Sequence, residues 1–230
     1  DILGEFILNN YATATEYIGL HFENYDSFIQ APVIKEQVLK ATPLNKGHIT
    51  VYLSHYSDDV LLQYFTRFSE VRFQVFSKKI KQPFRQANIE WMPISNEGFT
   101  RSMIDSAGVI TGAGFETPAE AMYLQKKLLC IPIKGQYEQL CNAAALEKLG
   151  VTILPAIRED FSEKLESWLN WEQQHSFVLQ NTTAGLIEKL MDVVDRPFVG
   201  SANLFDGDLH EDSTELNACG FSLPQLSLKY

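Results

Sequence analysis

The chain has 230 residues, 45% of them hydrophobic and 12% aromatic, with 19 Lys and Arg against 29 Asp and Glu and a formal net charge of −10 at pH 7. That is enough apolar material for one good core with decorations, or for two small ones. The acidic balance excludes nucleic acid or an anionic membrane surface as the main partner, since both reward clustered Lys and Arg, and no apolar run approaches the roughly 20 residues that make a transmembrane segment.

From Asp1 to about Ala31 the sequence is aromatic-rich and irregular, opening without Met in an apolar patch (Ile2, Leu3, Phe6, Ile7, Leu8) and containing Tyr17 to Phe22, which reads as a short strand. Residues 1–46 therefore read as the end of a preceding N-terminal domain plus a linker. Pro32 to Lys40 is a short helix in that reading, and Thr42 to Gly47 a turn. From Gly47 onward strands and helices alternate. His48 to Leu53 is β-branched and apolar, and Asp58 to Phe68 repeats apolar residues at helical spacing (Val60, Leu61, Tyr64, Phe65, Phe68). Val71 to Phe76 is a second strand, Ile80 to Ala87 a loop or short helix, and Ile89 to Ile94 a third strand. Phe99 to Ser106 is a short helix and Gly108 to Thr111 a fourth strand. A helix then runs from Thr117 to about Lys127, Leu128 to Ile133 is a fifth strand, Tyr137 to Leu149 a helix stopped at Gly150, and Val151 to Leu154 a sixth strand. This alternation predicts an α/β fold: a Rossmann-like parallel sheet with helices on both faces over residues 47–158.

Residues 159–195 read as C-terminal helices, the first with Phe161, Leu165, Trp168 and Leu169 on one face and Trp171 widening it, the second with Leu186, Ile187, Leu190, Met191 and Val194. Trp168 and Trp171 read as packing anchors. Residues 196–230 form a polar tail, acidic over Asp206 to Glu215. Its Asp206-Gly207-Asp208 imitates a metal-binding Asp-x-Asp but has no strand before it, so no metal ligand is assigned. Cys130, Cys141 and Cys219 lack metal spacing, and the first two sit in apolar surroundings; a reducing compartment, the cytoplasm, is the expectation.

The most informative stretch is Gly108-Val109-Ile110-Thr111-Gly112-Ala113-Gly114-Phe115-Glu116-Thr117-Pro118-Ala119-Glu120-Ala121, an apolar strand passing through a small-residue turn into a helix start. Thr117 suits the N-cap, Pro118 the first helical position, and Glu120 the partner position of a capping box. Free amides and the positive end of the helix dipole converge at such a turn, and a phosphate is the ligand they favour. A capping box with no ligand, and glycines serving only a tight turn, would leave the same pattern.

Thr111 to Ala121, followed by Glu138-Gln139-Leu140-Cys141-Asn142-Ala143, resembles the nucleotide-sugar signature of glycosyltransferases with two facing Rossmann-like domains, the GT-B fold. The C-terminal domain of those enzymes carries Thr-His-Gly-Gly-x-x-Thr-x-x-Glu-Ala and then Asp-Gln-x-x-Asn-Ala; the likeness extends over about Gly47 to Gln174 and includes the UDP-glycosyltransferases and the lipid-linked peptidoglycan transferase. It implies a donor-binding domain that takes a nucleotide diphosphate sugar, a UDP-sugar above all, as substrate, with no separate cofactor and no metal. Carried over by position, it implies that Gly114, Phe115 and Thr117 hold the diphosphate, with Gly112 and Ala113 completing the turn. Glu120 would accept hydrogen bonds from the ribose hydroxyls, for which a carboxylate is suited because it offers acceptors to two donors at once. Glu138 and Gln139 would hold the sugar, and Met92 and Ile94 would present backbone groups to the base.

Ser54 and His55 end the first strand of the sheet and face the same crevice, as the switch-point rule for open α/β sheets expects. The family His falls on Gly112, the first Gly of its pair on Ala113, the Asp on Glu138, and the Gly-x-Pro after the helix on Gln125-Lys126-Lys127. No catalytic residue is assigned, because the resemblance places the general base in the missing N-terminal domain. The alternative is a non-catalytic homologue, a nucleotide-sugar sensor or interaction domain, which Gly112 in place of His favours. A sugar-nucleotide epimerase shares the two-domain architecture, but its His and acidic catalytic residues have no clear counterparts.

Overall fold

The first four residues of β3 (His48–Tyr52) and all four of β7 (Gly108–Thr111) are buried, so both faces of each strand are covered, and Ile49 to Val51 and Val109 to Thr111 are runs of β-branched residues. The computed structural model, which describes residues 18–23, 27–171 and 181–195 and the single positions Phe6, Asn10 and Leu179, places them side by side in a seven-stranded sheet. The sheet also holds β4 (Arg72–Ser77), β5 (Phe84–Gln86), β6 (Ile89–Pro93), β8 (Lys127–Cys130) and β9 (Thr152–Ile153), in the order β5-β6-β4-β3-β7-β8-β9. All pairs are parallel except β5 with β6. A separate parallel pair joins β1 (Gly19–Leu20) and β2 (Ile29–Gln30).

The period-two alternation of the strands builds two cores. Val109, Leu128 and Cys130 face one side, where they meet α1 (Glu36–Leu39), α3 (Asn96–Asp105), α4 (Glu116–Tyr123) and α5 (Tyr137–Lys148) through Val38, Met103, Ala119, Met122, Ala143 and Leu146. Ile110, Leu129, Val51 and Phe73 face the other, against α2 (Asp58–Phe65) and α6 (Phe161–Asn170) through Leu61, Phe65, Phe161, Leu165 and Trp168. The segment ahead of β3 shares the first core: Phe22, Ile34 and Val38 are buried in it. A last helix, α7, spans Thr183–Asp195.

The expected sheet with helices on both faces is therefore present, with some differences in detail. Ile80 to Ala87, read as loop or helix, contains the short strand β5, whose three residues are all exposed and so carry no alternation to read. The fifth predicted strand, Leu128 to Ile133, runs instead over Lys127–Cys130, because Pro132 lacks the N–H that would extend the ladder. Trp171 does not widen the stripe of α6: it follows the helix and is 49% exposed, whereas Trp168 is buried and donates from Nε1 to the Leu128 carbonyl at 3.2 Å. On α7 only Leu186 of the predicted apolar face is buried, while Ile187, Leu190, Met191 and Val194 are exposed. The polar tail with Asp206-Gly207-Asp208 and Cys219, and the apolar start apart from Phe6, lie outside the described residues. No helix among the described residues is long and apolar enough to cross a membrane.

Candidate functional site

The chain leaves β3 toward β4 and β6 on one side and returns to β7, β8 and β9 on the other, so the strand order reverses between β3 and β7. The loops leaving the carboxyl ends of those two strands diverge at this switch point, the crevice position at which open α/β sheets bind ligands. Ser54 and His55 follow β3, and Gly112 to Phe115 follow β7. Met92, half-buried, lies within β6, and the exposed Ile94 just past it leads into α3, which Ser95 caps by accepting the Gly98 N–H at 3.0 Å.

The turn after β7 is held from behind. Ala113 is fully buried, and the Asn142 side chain, itself 5% exposed, donates from Nδ2 to the Ala113 carbonyl at 3.2 Å. Gly114 has open space where a Cβ would project, and the Phe115 ring packs on Phe22 at 5.0 Å. Helix α4 begins one residue before the expected N-cap. Its cap is Phe115, which offers no side-chain acceptor, so Thr117 and Pro118 lie inside the first turn and no capping box with Glu120 forms. The first amides of α4 thus have neither an intrahelical carbonyl nor a cap, and point with the dipole toward the crevice. Pro118 costs nothing there, since its missing N–H would have had no partner.

Glu120 is not a solvated cap but a buried carboxylate, 2% exposed. Its Oε1 lies 3.2 Å from Nζ of Lys35, which also donates to Asn96 Oδ1 at 3.4 Å and stands 3.9 Å from Glu116. Burial pushes the Glu120 carboxyl above its usual range, and the Lys35 ammonium opposes that shift. Through Lys35 and Asn96, Glu120 is joined to the first residue of α3, two positions after Ile94.

At the far wall, Glu138 is exposed in the first turn of α5. Gln139 is half-buried and folded inward: its Oε1 accepts the Ile133 N–H at 3.0 Å and its Nε2 donates to Gln136 Oε1 at 2.7 Å. A Cβ at Gly112 would come within 3.3 Å of that Oε1. The amide of Gln139 thus stands beside the position where the related motif carries an imidazole. Ser54 is exposed, whereas the ring of His55 packs on Tyr56 at 4.4 Å with neither nitrogen hydrogen-bonded among the described residues, and burial lowers its pKa. Tyr56 in turn accepts the Ile157 N–H on its hydroxyl at 2.8 Å.

The structure thus brings Met92, Ile94, Gly112 to Phe115, Thr117 and Glu120, together with Ser54 and His55, to the carboxyl edge of one sheet, with Glu138 and Gln139 on the helix behind β8. Sequence reasoning missed Lys35 and Asn142. Asn142 was visible three residues after Gln139, on the same helical face. Lys35 carries no local signal, since 85 positions separate it from its partner.

Among solved structures, the fold is similar to SnogD from Streptomyces nogalater, a glycosyltransferase (14% identity, 81% of this chain and 53% of that one, TM-score 0.41). It is also similar to UGT89C1 of Arabidopsis thaliana complexed with quercetin (15%, 67% and 40%, TM-score 0.43) and to the calicheamicin glycosyltransferase CalG4 (14%, 75% and 50%, TM-score 0.48). The chain spans about half the length of these structures. No curated protein matches its sequence. The family model of glycosyl transferase family 1 matches residues 7–170, most of the chain, and the protein belongs to that family.

Proposed function

We propose that this chain is the donor-binding part of a sugar transferase that takes a nucleotide diphosphate sugar, with uridine diphosphate as the nucleotide. The observation that supports this reading best is the meeting, at the sheet's switch point, of an uncapped helix start behind Gly112 to Phe115 with a buried carboxylate at Glu120. The first fits a diphosphate and the second a ribose diol. In the reaction an acceptor hydroxyl oxygen bonds to the anomeric carbon while the bond from that carbon to the diphosphate breaks. The electron pair leaves with the diphosphate, whose growing charge the α4 amides and dipole stabilise where it develops. The acceptor proton passes to a base in an N-terminal domain of the same chain, and neither metal nor separate cofactor takes part. Residues 47–158 form the nucleotide-sugar unit in this reading, and a reducing cytoplasm is its setting.

Calorimetric titration with uridine diphosphate tests the proposal. Binding with slowed hydrogen exchange at Gly114, Phe115, Glu116 and Thr117 supports it; no heat and no protection overturn it. One observation favours a second reading, a binding homologue that does not transfer sugar: the Gln139 amide is already engaged by Ile133 and Gln136. A transfer assay on the intact parent chain with a UDP-sugar separates the two.

A further inference from the structure

Glu120 is the buried carboxylate of the crevice, and its cation comes from a distant part of the chain. Lys35 precedes α1, yet its Nζ reaches 3.2 Å from Glu120 Oε1 and donates to Asn96 Oδ1 at 3.4 Å, so one ammonium connects the α4 wall to the start of α3. The Lys35 side chain keeps 39% of its exposure while that of Glu120 keeps 3%. The cation therefore keeps contact with water while the carboxylate it faces does not, and removing Lys35 would leave that buried carboxyl without its charged partner.

We propose that Lys35 is a positioning residue of the nucleotide site, holding the Glu120 carboxylate aimed at the ribose diol and tying it to the loop beneath the base. The inference rests on the nucleotide reading given above. A diol needs an acceptor at both of its hydroxyls, and a carboxyl group that takes up a proton turns one acceptor into a donor. Two influences drive Glu120 toward that protonated form: burial, and the Glu116 carboxylate on the same helix. Lys35 opposes both with its charge, its side-chain hydrogen bond and its backbone amide; of the two further groups at its ammonium, Asn96 is neutral and the Glu116 carboxylate, 3.9 Å away, shares the same charge. Without the ammonium the carboxyl would take up its proton at a higher pH, and ribose recognition would fail over the same range.

Two measurements on the full chain test this, with Lys35→Met to remove the charge and Lys35→Arg to restore it. In the absence of nucleotide, the carboxyl carbon of Glu120, followed by NMR, titrates at a higher pH in Lys35→Met and returns toward the unaltered midpoint in Lys35→Arg. With uridine diphosphate and its 2′,3′-dideoxy analogue as ligands, Lys35→Met loses about tenfold or more of the preference for the ribonucleotide near neutral pH, the scale of one charge-assisted hydrogen bond. The pH at which affinity is lost on acidification rises as well. An unshifted Glu120 midpoint, or an unchanged ribose preference and pH profile in Lys35→Met, overturns the positioning role while a Glu120-dependent affinity leaves the nucleotide reading standing. Absence of nucleotide binding in the unaltered chain overturns both.

Discussion

Asn142 fastens the turn after β7 from below: its buried amide donates to the carbonyl of Ala113 at 3.2 Å, linking α5 to the residue that precedes Gly114. Asn142→Ala leaves that carbonyl without its donor in a buried setting, which costs about 1–3 kcal/mol. Urea unfolding should show the loss, and calorimetry should show weaker nucleotide binding as the turn relaxes. Equal stability would mean that the bond contributes nothing.

Glu120→Gln separates ligand binding from folding. Burial raises the pKa of this carboxyl above its ordinary value of 4.5, so the folded chain binds the proton more readily than the unfolded chain does. The stability this contributes is present below about 4.5 and is lost as pH rises through the folded value. Ionising the group costs more in the folded chain than in the unfolded one, so at pH 7 a neutral amide should keep or raise the urea midpoint while nucleotide affinity falls by about 1–3 kcal/mol. A loss of stability with unchanged affinity would return Glu120 to a structural role.

The Gln125→Gly variant should be more stable than the unaltered chain, by about 0.5–1 kcal/mol. Gln125 has φ +55, closing α4 with Lys126 N–H on the Ala121 carbonyl at 2.8 Å and its own N–H on Met122 at 3.0 Å. This is the left-handed C-terminal cap that Gly150, at φ +85, makes at the end of α5, with Val151 N–H on Leu146 at 3.0 Å. Denaturant melts of the two proteins give the difference directly.

Stability should fall as the solution is acidified below about pH 6.5, the ordinary histidine value. Burial lowers the pKa of His21, His48 and His55, so the unfolded chain binds more protons and stability is lost as pH drops through the folded values. His48 is the most deeply set, with Nε2 3.1 Å from the Ser102 carbonyl and 3.2 Å from its hydroxyl, which donates to Gln74 Oε1 at 2.6 Å. Urea midpoints between pH 7 and 5 should show a shallower slope in His48→Gln.

Thiol labelling of the folded chain should spare Cys130. That residue is fully buried and burial pushes its thiol far up, so the reactive thiolate does not form, whereas Cys141 is half-buried. Peptide mapping after maleimide treatment should find Cys130 modified only once the chain is unfolded in urea.

Much of the architecture was readable from local pattern. The β-branched runs Ile49 to Val51 of β3 and Val109 to Thr111 of β7, and the Leu61 and Phe65 pair of α2 at helical spacing, let strand and helix follow from burial periodicity. Two motifs 18 residues apart, Gly112 to Glu120 and Glu138 to Asn142, marked the crevice because both lie on loops and helix starts that leave the same sheet edge. Tertiary structure alone decided the rest. The edge strand β5 exists because β6 offers it an open ladder, not because its exposed residues favour a strand. The cap of α4 falls on Phe115, and Glu120 is a buried carboxyl group rather than a surface cap, with Lys35 reaching it from 85 positions away. Composition and spacing set which segments bury and which residue types gather; the partner that a buried charge finds depends on contacts between distant segments, and no local pattern records those.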